Sequence, residues 1–321
     1  MPHILVAGRI HEQGLEVLKN AKGITFDVVD EVSRESYVPL LSKADALLIR
    51  TQPLDRAAIA TAPNLRIVSR HGVGFDAVDV EALNARKIPL CIVGDVNSRA
   101  VAEHTLMLML SVARRTVAHD QATRGNNWKI RNAFETIELD GKTLLVMGLG
   151  RIGRRVAQLA QAFGMNVLAL DPMISAAAMK ELSITPAADL HSALKVADYV
   201  TLHVPLINGK PVIGADELAL MKPTAILINA ARGGLIDEAA LHDALTTRKL
   251  YGAGLDVFRS EPPKTDNPLF QNPYVTLSPH AAGLTAECAA RMGISSAQNI
   301  LDYFAGKLDL NLVVNGKAIG F

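Results

Sequence analysis

Cysteine is almost absent. Two residues, Cys91 and Cys288, occur in 321, and no Cys-x-x-Cys pair is present. That excludes a disulfide framework and a thiolate zinc motif, and it suits a reducing compartment. An excess of one charge is also lacking. Thirty-three Lys and Arg stand against 32 Asp and Glu, a net +1. Nucleic acid as the main partner needs a clustered positive field, which this balance argues against. Long apolar runs are missing as well. The longest, Leu106 to Ala113, has eight residues, whereas a membrane span needs about 20. The stretch Met1 to His11 has neither a basic n-region nor a long apolar h-region, so no signal peptide, no membrane partner and a cytoplasmic location are expected. There is no His-Glu-x-x-His helix and no Gly-x-Ser-x-Gly elbow, which argues against a catalytic zinc or a serine hydrolase; no metal is expected.

What is present is a globular composition. Hydrophobic residues make up 49% of the chain, too many for disorder. At roughly 150 residues per domain the length predicts two domains. Short apolar runs recur at Ile4–Ala7, Ala46–Ile49, Arg66–Ser69 and Leu90–Val93. They are separated by amphipathic segments such as Glu12–Lys19 and Ser36–Ser42. A second set follows at Thr143–Met147, Asn166–Leu170, Tyr199–Val204, Ala225–Asn229, Gly252–Val257 and Tyr274–Leu277. Brief strands that are apolar on both faces and alternate with helices predict two Rossmann-like α/β lobes with doubly wound parallel sheets. Val101–Arg115 and Thr285–Phe304 read as long helices. Leu106-Met107-Leu108-Met109-Leu110 reads as core packing, and Trp128 as a packed anchor without a function.

The clearest local motif is Gly148-Leu149-Gly150-Arg151-Ile152-Gly153, between the strand Thr143–Met147 and the amphipathic stretch Arg154–Phe163. The first glycine permits a tight turn, the second lets backbone approach a pyrophosphate, and the third allows helix–strand packing. The helix N-terminus turns unpaired N–H groups toward the phosphates. Asp171 closes the next strand, near the spacing of about 20 at which an acid reads the adenosine ribose. A carboxylate there repels a 2′-phosphate, so the expected cofactor is NAD rather than NADP.

Three ionisable residues follow strands of the second set. Arg232 precedes Gly233-Gly234, Glu261 precedes Pro262-Pro263, and His280 precedes Ala281-Ala282-Gly283. Ligands of open α/β sheets bind beyond the carboxyl ends of strands. Arginine offers a planar fork to a carboxylate, and histidine exchanges a proton near neutral pH. A glutamate on the far ring nitrogen would orient the imidazole and stabilise its cation. These parts suit hydride transfer between a nicotinamide and a 2-hydroxy acid.

Six stretches together carry a resemblance: His71-Gly72-Val73-Gly74-Phe75-Asp76, the glycine turn with Asp171, His203-Val204-Pro205, Asn229-Ala230-Ala231-Arg232-Gly233-Gly234, Asp256 to Pro262, and Ser278-Pro279-His280. From about Ala46 to Phe304 the chain resembles the D-isomer-specific 2-hydroxyacid dehydrogenases, which include phosphoglycerate dehydrogenase and hydroxypyruvate or glyoxylate reductases. The resemblance implies that Arg232 orients substrate, that His280 is the acid/base and that Glu261 is its partner. It implies that Gly72, Val73 and Gly74 give N–H groups to the substrate carboxylate, with Arg50 as a specificity residue. Cofactor contacts are implied at Gly148, Gly150, Arg151, Ile152, Gly153, Asp171, Ala231, Asp256 and Gly283, and more weakly at Thr105, His203 and Pro205.

The same resemblance implies a discontinuous, smaller, flavodoxin-like substrate lobe over residues 1–98 and 287–321, with an NAD-binding lobe, 99–286, inserted and mediating a homodimer. The chain ends at Phe321, so the effector-binding module of some phosphoglycerate dehydrogenases is not expected. Hydroxypyruvate or glyoxylate is the first expected substrate and 3-phosphoglycerate the second; the latter would want cations beside Arg50, from Arg9, Arg70 or Arg99. A competing reading is an NAD(H)-sensing protein like the corepressors that resemble this family. The joint presence of Arg232, Glu261 and His280 favours the enzyme, because sensing alone does not need all three.

Overall fold

The computed structural model describes all residues, 1–321. The chain forms two compact units, one made of residues 1–97 and 284–321, the other of residues 98–283. Five helices matter below: α1 (Glu12–Asn20), α2 (Ser98–Ala113), α3 (Thr116–Arg124), α4 (Arg151–Ala162) and α5 (Ala286–Phe304). No helix is long and apolar enough to cross a membrane.

The first unit is built on β1 (His3–Ala7), β2 (Thr25–Val29), β3 (Ala46–Ile49), β4 (Ile67–Arg70) and β5 (Leu90–Cys91), all parallel in the order β2-β1-β3-β4-β5. This is the flavodoxin-like order. Alternate residues face opposite layers. Ile4, Val6, Leu48 and Ile67 pack with Ala297 and Ile300 of α5, while Leu5, Leu47, Ile49 and Val68 pack with Tyr37 and Leu41. Helix α5 therefore completes this unit, although almost 200 residues separate it from β5. Polar ties add to the packing: Ser69 Oγ donates to the Ser296 carbonyl at 2.8 Å and Asn299 Nδ2 to the Ile92 carbonyl at 3.1 Å. The backbones of α1 and α5 meet at Gly14 and Gly293, where a Cβ on Gly14 would lie 2.6 Å from the Gly293 carbonyl carbon.

The second unit holds β6 (Thr143–Met147), β7 (Asn166–Leu170), β8 (Thr185–Pro186), β9 (Tyr199–Leu202), β10 (Ile226–Asn229), β11 (Gly252–Leu255) and β12 (Val275–Leu277). All pair in parallel, in the order β12-β11-β10-β9-β6-β7-β8. The winding direction reverses between β6 and β9, which makes that junction the switch point of the sheet.

Both sheets have an edge strand that the apolar-run reading did not include. In β2, Asp27 and a half-exposed pattern dilute the apolar signal. Strand β8 is two residues long and ends in Pro186, tolerated because the strand lies at an edge. The segment Ser36–Ser42 is not one helix: Pro39 divides it into a turn of α-helix at Arg34–Tyr37 and a 3-10 segment at Val38–Lys43. The long helix read as ending at Arg115 ends at Ala113. Arg115 adopts φ +49°, and α3 starts immediately after it.

Candidate active site

At the switch point the loop after β6 carries the glycine motif into α4. Gly148 has φ +90°, and a Cβ there would sit 2.5 Å from the His203 carbonyl oxygen, so backbone passes backbone where the loops after β6 and β9 part. A Cβ on Gly153 would collide with the Gly148 carbonyl, which explains the third glycine as a packing residue. A Cβ on Gly150 would meet nothing within 4 Å. The middle glycine thus opens onto free space at the start of α4, where no side chain caps the helix, as a pyrophosphate cradle requires. Arg151 is exposed. Ile152 packs against Val101, Ala230 and Ala282.

Asp171 leaves β7 beside this turn. Its Oδ2 accepts from the Leu149 N–H at 2.7 Å and its Oδ1 from the Met173 N–H at 2.8 Å. The carboxylate is thereby held against the glycine loop, the place from which an acid can reach a ribose. His203 follows β9. Its Nε2 lies 3.0 Å from Thr201 Oγ1, and burial holds its pKa down to about 4. Pro205 is exposed on the same loop. Thr105 is fully buried in α2, with its hydroxyl donated to the Val101 carbonyl at 2.8 Å.

Strands β10, β11 and β12 are neighbours, so the loops after them form one row. After β10, Asn229 Nδ2 donates to the Arg232 carbonyl at 2.8 Å and Asn229 Oδ1 accepts from the Ala231 N–H at 3.1 Å. The Arg232 guanidinium reaches the Ala231 carbonyl at 2.7 Å. Gly233 presses on the next loop so closely that a Cβ would overlap the Phe258 carbonyl. In that loop Glu261 Oε1 accepts from the Phe258 N–H at 3.0 Å, and Oε2 lies 2.6 Å from His280 Nδ1. Burial pushes the Glu261 carboxyl up, but the hydrogen bonds from His280 and Phe258 outweigh it and leave the carboxyl below its ordinary value. Glu261 is therefore an anion at neutral pH, facing the ring nitrogen that it orients. The His280 side chain is 50% exposed, and the contact with Glu261 is made through Nδ1, not Nε2.

The buried Asp256 closes this row. Its carboxylate accepts from Ser278 Oγ at 2.6 Å, Ala281 N–H at 2.8 Å and Ala282 N–H at 3.0 Å. Gly283 follows directly. His104 of α2 reaches Ser278 Oγ with Nε2 at 2.8 Å. Sequence reasoning did not single out His104, and it named Ser278 only within the stretch Ser278-Pro279-His280, without a role; the alternation Gly252-x-Gly254-x-Asp256 was the available signal, because it leaves room for a helix above that strand.

In the first unit, Arg50 and His71 follow the paired residues Ile49 and Arg70 of β3 and β4. Arg50 is half-buried and donates to the Arg9 carbonyl at 3.2 Å. Arg70 bonds the Gly74 carbonyl at 2.8 Å, so Arg50, Arg70 and the loop Gly72-Val73-Gly74 share one sheet end. Gly72 has φ +151°.

The family model described as D-isomer specific 2-hydroxyacid dehydrogenase, NAD binding domain, matches residues 106–282. A glyoxylate reductase of Aeropyrum pernix is 38% identical over 97% of this chain and 96% of its own length. The chain belongs to the D-isomer specific 2-hydroxyacid dehydrogenase family. The D-3-phosphoglycerate dehydrogenase of Methanocaldococcus jannaschii is 39% identical over 98% of this chain but 59% of its own length. The chain thus spans about three-fifths of the phosphoglycerate dehydrogenases that it matches. Among family structures, the D-lactate dehydrogenase of Aquifex aeolicus, complexed with NAD and lactic acid, superposes with a TM-score of 0.85 at 27% identity, covering 95% of this chain and 96% of that one. The matched NAD binding domain falls within residues 98–283, the unit that holds the glycine turn and the His280–Glu261 pair.

Proposed function

We propose that this protein is an NAD-dependent dehydrogenase of small D-2-hydroxy acids, working with the corresponding 2-keto acids in reverse. The observation that carries the proposal is the 2.6 Å pairing of His280 Nδ1 with Glu261 beside the Arg232 loop, in the unit that bears the dinucleotide turn. The bound nicotinamide supplies hydride to the keto carbon, or takes it from the hydroxy acid. The protein's residues handle charge and proton. Arg232 offers its fork to the substrate carboxylate. His280, protonated, gives its Nε2 proton to the carbonyl oxygen in reduction and takes it back in oxidation. Glu261 stabilises the imidazolium through Nδ1. The 148–153 turn receives the pyrophosphate and Asp171 the ribose hydroxyls, with Ala231, Gly283, His203 and Pro205 around them, while the fully buried Asp256 holds the turn that carries His280.

The unit 98–283 acts as the cofactor lobe. The unit 1–97 with 284–321 contributes substrate-binding residues, Arg50 and the N–H groups of Gly72, Val73 and Gly74. Hydroxypyruvate or glyoxylate is the first substrate proposed. A second reading, 3-phosphoglycerate, is favoured by the two arginines, Arg50 and Arg70, that flank the 72–74 loop. The test is NADH oxidation with glyoxylate, hydroxypyruvate, pyruvate and 3-phosphohydroxypyruvate. Turnover with at least one supports the enzyme; micromolar NADH binding without any turnover supports a sensor.

A homodimer through the cofactor lobe is also proposed. Met107, Val117, Trp128, Phe134 and Phe163 are exposed on or near α2, α3 and α4, and Leu106, Met107, Leu110, Leu159 and Phe163 line an apolar groove. Exposed apolar patches of this kind mark association surfaces. Light scattering reads the outcome: a dimer for the native chain and a monomer for the Trp128→Ser, Phe134→Ser variant. A native monomer contradicts it. Two buried thiols without disulfides support a cytoplasmic location, which fractionation of the native source checks.

A further inference from the structure

Helix α2 and strand β11 lie unusually close, and their registers match. On α2, His104, Leu108 and Val112 stand four residues apart and share a face. On β11 and just past it, Gly252, Gly254 and Asp256 stand two apart and share a face. Four helical residues advance about 6 Å and two strand residues about 6.6 Å, so the two ladders keep step. A Cβ on Gly252 would lie 2.6 Å from Val112 Cγ1, and one on Gly254 would lie 3.0 Å from Leu108 Cβ. The third rung is His104 over Asp256, with Nε2 3.4 Å from Oδ1.

Asp256 is fully buried and is the hub of the turn that carries His280. Its carboxylate takes the Ser278 hydroxyl and the Ala281 and Ala282 N–H groups, and its carbonyl takes the His280 N–H at 2.7 Å. His280 needs this hold, because it sits at φ +52°, in the left-handed region that non-glycine residues avoid. Burial pushes the Asp256 carboxyl up, and bonds from His104, Ser278 and the two amides bring it below its ordinary value.

The proton positions follow from counting. Ser278 has one hydroxyl proton, and at 2.6 Å from a carboxylate it donates there. Ser278 Oγ then accepts at 2.8 Å from His104, so His104 carries its proton on Nε2. We propose that His104 is a positioning residue for His280, acting through Ser278 and Asp256, which hold the Ser278–Ala282 turn in its strained conformation. The proposal rests on the assignment of His280 as acid/base. His104 touches neither reacting atom: it supplies the donor that keeps Ser278 committed to Asp256, and Asp256 committed to the turn.

The experiment compares native protein with His104→Leu, which removes the donor, and His104→Gln, which keeps an N–H at similar reach. Hydrogen exchange of the Ala281 and Ala282 amides is read in the protein without ligands, and kcat and KM for NADH and keto acid in the assay. Losing a hydrogen bond to a charged network changes an equilibrium or rate by about tenfold or more. Expected for His104→Leu are exchange about tenfold faster at both amides and kcat about tenfold lower, with KM for NADH unchanged; His104→Gln recovers both. Ser278→Ala, which breaks the same link from the other side, gives the same losses if His104→Leu does not fold. Native exchange rates in the leucine or alanine variant overturn the proposal, as does a glutamine variant no better than leucine. A native protein inactive on every keto acid sinks the dehydrogenase reading instead, and the exchange measurement still decides the role of His104.

Discussion

His280 and Glu261 are 19 positions apart in sequence, on loops after two different strands, yet their side chains meet at 2.6 Å. That contact fixes the ring orientation, and the proposed proton transfer uses the other nitrogen, Nε2. Replacing His280 with Ala removes the proton donor and should lower kcat by about 10²–10⁴-fold with little change in NADH affinity. Near-native turnover would remove His280 from the mechanism. Asp171, proposed to read the ribose, also does something its spacing alone did not show: it holds the Leu149 and Met173 amides. Asp171→Ala should reduce the preference for NAD over NADP by about tenfold, as expected for losing a charged hydrogen-bonding group. An unchanged ratio of kcat/KM values would assign ribose reading elsewhere. The residues visible in sequence were those whose motifs are local, such as 148–153. His104 was not visible because its partners lie 174 and 152 positions away, and a lone histidine in an apolar helix carries no local mark of such a network.

The strands that were easiest to read are those buried on both faces. Ala46–Ile49 and Thr143–Met147 have the bounds their apolar runs suggest; so does Asn166–Leu170, although one of its faces is only partly buried. Edge strands escaped because an edge needs neither a continuous apolar run nor length, as Thr185–Pro186 shows. The closeness of α2 to β11 leaves only one trace in the sequence, the Gly252-x-Gly254 alternation, because it depends on the side chains that glycine lacks. Gly254→Ala would place a Cβ 2.8 Å from Ile228 Cδ1 and 3.0 Å from Leu108 Cβ. Overpacking of that kind should destabilise the protein by about 1–3 kcal/mol. Ile228→Val removes the nearest carbon, so the double variant should lose less than the two single losses added together, by about 0.5 kcal/mol or more. Strict additivity in denaturant midpoints would show that α2 yields without strain.

Each unit of the whole molecule holds a histidine that resists protonation, His71 buried and His203 partly buried. Burial, aided by Arg50 and Arg70, lowers His71 to about 4, and burial lowers His203 to about 4. Their unfolded value is near 6.5, so above that pH neither state gains a proton. As pH falls from about 6.5 toward about 4, the unfolded chain takes up protons that the folded chain refuses, and stability drops. The full loss is roughly 3 kcal/mol for each histidine. Denaturation between pH 7 and 5 reads this window before the carboxylates of lowered pKa contribute. Stability should fall steadily there, and His203→Asn should flatten the slope; a flat native profile would contradict the buried neutral histidines. The two-lobed α/β plan and its sheet classes were legible because parallel strands and βα turns repeat a strong pattern. The side-chain distances that set the chemistry were not, since they arise from chain segments far apart in sequence.

In the function proposed for this protein, hydride moves between nicotinamide and a 2-keto acid under the control of His280, Glu261 and Arg232. The most direct measurement incubates the protein with NADH deuterated at nicotinamide C4 and a keto acid from the panel, then reads the product by NMR and chiral chromatography. The expected product is a D-2-hydroxy acid with deuterium at C2, formed by native protein and almost absent with His280→Ala. Bound NADH that yields no deuterated hydroxy acid from any keto acid would contradict it.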